Sequence, residues 1–173
     1  MHIADSVRGR RTLQKRRPAG VDDQADRAPV RVRSREWHTG PAKAVGSAST
    51  FVEMSFTRDR LGELRRFVAQ EAAEVSLDPA RIADLVLAVD ELATNSVCHG
   101  GGAGTLRMWR EGDVLLCDIC DLGQIRQESV CLSPPDPTQI SGRGLWIVSQ
   151  LCDLVQIRSS LGHSTVRVHM HLA

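Results

Sequence analysis

The chain has 173 residues, of which 42% are hydrophobic and only 3% aromatic, with no tyrosine. That suits one domain of ordinary size built on aliphatic packing. The absence of any run of about 18 apolar residues excludes a membrane-spanning helix. The basic N-terminus has no apolar stretch behind it, which argues against a secretory signal, so a cytoplasmic protein is expected. The net charge of +1 is unevenly spread. Residues 1–50 carry 11 Lys and Arg against 5 Asp and Glu, and the remainder 11 against 16, so a segment of net +6 precedes one of net −5.

Residues 1–48 are rich in Arg, Ala, Gly and Asp and have no periodicity, which predicts a basic, disordered extension. Such an arm could meet nucleic acid or an acidic partner electrostatically. Without a helical period the plainer reading is a solvated tail, or a start assigned upstream in error, and no nucleic-acid partner is expected. The folded part is expected over residues 49–173. It opens with an alternating strand, Thr50 to Phe56. From Arg58 to about Val75, Leu61, Leu64, Phe67, Val68 and Ala72 follow the helical period. Ser76 to Pro79 breaks the chain, with Asp78 a good N-cap and Pro79 at the first helical position. The second helix runs to about His99. Ile82, Leu85, Val86, Leu87, Val89 and Leu92 make it apolar nearly all round, which predicts a place in the core.

Gly100-Gly-Gly-Ala-Gly104 ends that helix. Thr105–Arg110 and Val114–Cys120, around Glu111-Gly112-Asp113, read as a hairpin. Asp121 to Ser141, with Pro134, Pro135 and Pro137, is long for a plain connection and predicts a functional lid. A third helix covers Gly142–Cys152, and Asp153–Arg158 and Thr165–Leu172 form a last strand pair. The order predicts an α/β two-layer sandwich, with helices on one face of a mixed, mostly antiparallel sheet.

Five cysteines raise the question of metal or redox chemistry. Cys117 and Cys120, three apart on a predicted strand, point to opposite faces and cannot share an ion. Small core residues are the better reading. His169 and His171 share a strand face, but two ligands fall short of a site.

Three short motifs carry chemistry. Glu91 and Asn95, four apart on the second helix, stack on one face. A carboxylate beside an amide oxygen can seat a hydrated Mg²⁺, which takes few protein ligands. Asp121, at a strand end, can accept a hydrogen bond from an exocyclic amine, and Gly123 permits close backbone approach. Ser141-Gly142-Arg143-Gly144-Leu145 opens a helix, where N–H groups and the dipole favour an anion and Arg143 adds charge. Each motif alone has an ordinary structural explanation: a helix face, a strand-ending turn, a flexible helix start. No Walker A loop occurs.

Their order is more specific. Asp90-Glu-Leu-Ala-Thr-Asn95-Ser-Val-Cys-His-Gly100, Asp121-Leu-Gly123 and Ser141-Gly-Arg-Gly144-Leu-Trp-Ile-Val resemble the N, G1 and G2 boxes of the GHKL superfamily. Ser164-Thr-Val-Arg-Val-His resembles its closing strand. The resemblance covers about Thr50 to Ala173 and implies a Bergerat ATP-binding fold. Within the superfamily the chain looks most like the small bacterial anti-sigma factor serine kinases. By that resemblance Glu91 is the general base, Asn95 the Mg²⁺ ligand and Asp121 the adenine reader, with Thr165 at the adenine-site threonine. Gly123 admits the nucleotide, and Ser141, Gly142, Arg143, Gly144 and Leu145 form the phosphate-binding box. The implied cofactors are ATP and Mg²⁺, and the implied function is an ATP-dependent serine/threonine protein kinase acting on an anti-anti-sigma-type partner. The alternative is a non-catalytic, nucleotide-dependent partner-switching module that sequesters a sigma factor or its antagonist. A protein partner is expected, a homodimer is compatible, and no membrane association is expected. Two departures stand out: Ile125 occupies the second glycine position of the G1 box, and Ile140 precedes Ser141 where some of these kinases carry Arg.

Overall fold

In a computed structural model of the chain, residues 51–123, 143–160 and 162–172 are described. The elements are β1 (Phe51–Thr57), a 3-10 turn (Arg58–Arg60), α1 (Leu61–Glu74), α2 (Pro79–His99), β2 (Ala103–Glu111), β3 (Val114–Asp121), α3 (Gly144–Leu151), β4 (Leu154–Ser160) and β5 (His163–His171). The extension 1–48, Ser141, Gly142, Ile125, Ile140 and most of the expected lid lie outside these residues.

Local chemistry sets the helix boundaries. The Asp78 carboxylate accepts from the Ala80 N–H at 2.8 Å, and Pro79 fills the first turn, as its missing donor allows. Upstream, Ser76 adopts φ 61°, while the N–H groups of Ser76 and Leu77 donate back to the carbonyls of Ala73 and Ala72. That Schellman pattern closes α1, and Leu77 tucks into the core behind it. The first turn after β1 is 3-10 rather than α, so the helix expected from Arg58 begins in full at Leu61.

The strands form one sheet in the order β1-β2-β3-β5-β4, antiparallel at every pairing among the described strands. The pairing of β1 with β2 follows from the connection. Two helices, down and back, return the chain to the end it left, so Thr57 faces Ala103. At that same end lie His99, Asp121 with its partner Ser164, and the hairpin of Ser160 and His163.

All three helices cover one face, giving the expected two layers. Phe56, Leu106, Met108, Leu115, Cys117, Ile119, Val155, Val166, Val168 and Met170 meet Leu64, Val68, Leu85, Val89, Leu92 and Val148 in one core. Burial of this aliphatic surface is the main drive for the fold. α2 packs between α1 and α3. It is less enclosed than its composition predicts, however: Leu87 is 45% exposed. No helix of the described residues is long and apolar enough to cross a membrane.

The centre of the outer face of the sheet is also closed to solvent. Asp118 is 0% and Arg167 8% exposed. The two are cross-strand partners, joined by Arg167 Nε to Asp118 Oδ1 at 2.6 Å and Nη2 to Oδ2 at 2.8 Å. The guanidinium also sits 4.8 Å from the centre of the Trp109 ring, a cation–π stack. Cys117 is buried on the helix side and Cys120 lies on the outer face, as strand alternation requires. Burial pushes the Cys117 thiol well above its ordinary range and Cys152 up to about 12, so both behave as inert core residues.

Candidate functional site

The end of the sheet that gathers Asp121, Ser164 and the C-terminus of α2 also receives the first turn of α3. Asp121 is the last residue of β3, and its alternation places the carboxylate on the helix side. There it accepts three hydrogen bonds. Oδ1 takes the Gly123 N–H at 2.8 Å and the Ser164 hydroxyl at 2.5 Å. Oδ2 takes the Ser96 hydroxyl, from α2, at 2.6 Å. A carboxylate offers about four acceptor positions, and donors among the described residues take three of them, leaving one on Oδ2. That position suits a single N–H donor, such as an exocyclic amine.

Ser96 and Ser164 were not legible as site residues, yet they fix the orientation of Asp121. Each had a signal. Ser96 interrupts the buried stripe of Leu85, Ala88, Val89 and Leu92 on α2. Ser164 is the register partner of Asp121.

That register corrects the expectation for Thr165. It pairs with Cys120, not Asp121, and its hydroxyl lies 3.6 Å from Cys120 Sγ on the outer face. A shift of one residue along a strand reverses the face. The hydroxyl on the helix side therefore belongs to Ser164.

The glycines around Asp121 are required by packing. A Cβ at Gly100 would lie 2.5 Å from Asp121 Cγ, and one at Gly123 would lie 2.7 Å from Gly100 Cα and 3.1 Å from the His99 carbonyl oxygen. The close approach that Gly123 makes here is thus to the end of α2 itself. The Leu122 N–H donates to the Gly100 carbonyl at 3.2 Å and locks the two turns together.

Glu91 and Asn95 are half-buried one turn apart on α2. Gly144, the first residue of α3, lies directly against them. A Cβ there would be 3.0 Å from Asn95 Nδ2 and 3.1 Å from Glu91 Oε2. Arg143 is exposed at the N-cap position, and its carbonyl accepts from Ile147 N at 2.9 Å. Leu145 packs on the edge of the core and seats the helix.

One end of the molecule therefore brings together Glu91, Asn95, Arg143 and Gly144, with Asp121 and Gly123 at the adjoining turn. The donor set fits the implied groups. An amide and a carboxylate face the N-terminus of α3, where a polyanion and a hydrated divalent cation can be accommodated, and Asp121 retains one acceptor for an amine.

Comparisons with known proteins show the family to which this fold belongs. The family described as "Histidine kinase-like ATPase domain" matches residues 54–170. No curated protein sequence matches the chain. Among solved structures, the chain is similar to the RsbU and RsbW domains of Rv1364c from Mycobacterium tuberculosis. The likeness has 21% identity and a TM-score of 0.53, over 70% of this chain and 32% of that one. The chain thus corresponds to about a third of that longer protein, and the likeness at this identity is one of fold.

Proposed function

The chain belongs to the histidine kinase-like ATPase domain family, and from that premise we propose that it is an ATP-binding anti-sigma regulatory factor that phosphorylates a serine or threonine of an anti-anti-sigma-type protein. The observation that supports the reading is the closeness of Gly144 to both side chains, since a Cβ there would lie 3.1 Å from Glu91 Oε2 and 3.0 Å from Asn95 Nδ2, so a carboxylate and a side-chain amide stand at the N-terminus of a helix. ATP with Mg²⁺ would supply the γ-phosphoryl group and the charge to stabilise its transfer. Asp121 would read adenine through its remaining acceptor position, held in place by Ser96 and Ser164. Asn95 would ligate the cation, and Arg143, with the N–H groups at the start of α3, would neutralise phosphate charge. Glu91 would accept the proton of the attacking hydroxyl, since such transfer rests on positioning and electrostatics. The domain proper is taken as residues 49–173, in the cytoplasm, with a sigma factor or its antagonist as partner.

One sequence observation favours a second reading. Ile125 stands where the G1 box has its second glycine, and a β-branched residue there restricts the backbone of a hinge. In that reading the nucleotide only shapes a partner-switching surface. Radiolabel transfer from ATP to candidate partner proteins separates the two. Glu91→Ala should lower transfer by roughly 10²-fold or more while ATP binding persists. A wild-type chain that binds ATP and a sigma factor yet labels no partner would establish the second reading instead.

A further inference from the structure

Thr165 turns away from Asp121, and the place it turns to is a second concave site. Ser55, Thr105, Cys120, Thr165 and Arg158 are successive cross-strand partners, one from each strand. Four short side chains and one arginine thus form a single row across the outer face. With strands about 4.8 Å apart, the row is roughly 19 Å long. The next row is Glu53, Arg107, Asp118, Arg167 and Gln156, which is long-chained and tied by ion pairs. Short residues beside long ones leave a hollow. It is a cavity of about 700 Å³ with the short row as its floor, within the range of about 300–1,000 Å³ typical of small-ligand sites.

Its charge is one-sided. Arg60, Arg107 and Arg158 line it, with His163 at the hairpin end. Glu63 and Glu53 pair with Arg60 and Arg107, but neither carboxylate is among the lining residues. Among the described residues the one acidic lining residue, Asp121, has its carboxylate engaged by donors on the helix side. Guanidinium groups over a floor of Ser and Thr hydroxyls are the donor set that recognises phosphate oxygens. We propose that this outer cavity binds a small organic phosphate, at a site separate from the one assigned to ATP. Gly101, Asp121 and Leu122 form its lip, so an occupant rests against the back of the turn that carries Asp121.

The test uses the full chain, labelled with nitrogen-15 and titrated with inorganic phosphate at constant ionic strength, the ATP site being filled with ADP. Saturable amide shifts at Thr105, Cys120 and Thr165 are expected. Arg158→Gln should weaken that binding roughly tenfold or more, as loss of a charge-assisted hydrogen bond does, while ADP affinity stays within about twofold. In the wild type, phosphate should also slow alkylation of Cys120 but not of the exposed Cys98, a readout that stands even if the variant misfolds. Shifts that never saturate, an unchanged affinity in a folded Arg158→Gln, or Cys120 alkylation indifferent to phosphate would each overturn the proposal.

Discussion

Asp121 and Ser164 are cross-strand partners on the helix side of the sheet, and the serine hydroxyl donates to Asp121 Oδ1 at 2.5 Å. With Ser96 on the other oxygen and the Gly123 N–H on Oδ1, the carboxylate is held by groups from α2, β5 and the turn that follows β3. Preorganisation of this kind reduces the ordering cost of binding.

Ser164→Ala should therefore weaken ATP binding, by a factor of about ten for one lost hydrogen bond to a charged group. Thr165→Val, on the opposite face, should leave it unchanged. Calorimetric titration of both variants decides the point. Equal effects, or a larger effect at Thr165, would return the adenine-site hydroxyl to Thr165.

Gly100→Ala is expected to destabilise the fold by about 1–3 kcal/mol, the usual cost of forced overpacking. The new methyl would meet Asp121 Cγ at 2.5 Å and the Ser96 carbonyl oxygen at 2.7 Å. Neither is the free end of a flexible side chain. Gly112→Ala makes a useful contrast, because no atom lies within 4 Å there and only its φ of 59° opposes the change. A urea midpoint unmoved by Gly100→Ala would show that α2 can draw back from the Asp121 turn.

How much was legible follows from which signals are local. Both ends of α2 were readable because a cap and a glycine run mark them within a few residues of chain. The placement of Glu91 and Asn95 on one face of α2 was legible for the same reason, since four-residue spacing on a helix needs no tertiary knowledge. The face of Thr165 was not. It depends on the register between β3 and β5, set by pairing across more than 40 residues, and one step of register reverses it. The Asp118–Arg167 pair escaped notice likewise, being 49 residues apart in sequence. Leu87 misled in the other direction, since composition alone does not say which side of α2 its neighbours leave open.

Removing one partner of that pair should cost far more than removing both. Arg167→Met leaves the Asp118 carboxylate buried without its guanidinium, a change worth about 3–5 kcal/mol. The double substitution Asp118→Leu with Arg167→Met should recover most of the loss, because two buried charges are replaced by apolar volume. Denaturation midpoints of the three variants form the cycle. A double variant no better than the single would mean that the ion pair stabilises the sheet in its own right.

Acid sensitivity has an identifiable source on the same face. Burial, with Arg167 beside it, pushes the His169 imidazole down to about 4, and Asp118 and Glu111 only partly oppose this. Its Nε2 lies 2.9 Å from Gln156 Oε1. An unfolded histidine titrates near ~6.5. As pH falls below that value, the unfolded chain takes up a proton that the folded chain does not, so stability declines from about pH 6.5 towards pH 4. His169→Gln should flatten that part of the stability profile. Parallel profiles for variant and wild type would place the acid sensitivity elsewhere.

The account turns on Asp121 as the adenine acceptor of a nucleotide site, and calorimetric titration of ATP with Mg²⁺ into wild type and Asp121→Asn tests it most directly. An amide in place of the carboxylate keeps one acceptor but sets donors against Ser96, Ser164 or the incoming amine. The expected result is saturable binding to the wild type and a loss of affinity of roughly 10²-fold, a few kcal/mol, in a variant that still melts cooperatively. Undiminished ATP affinity in a folded Asp121→Asn, or no binding to the wild type, would contradict it.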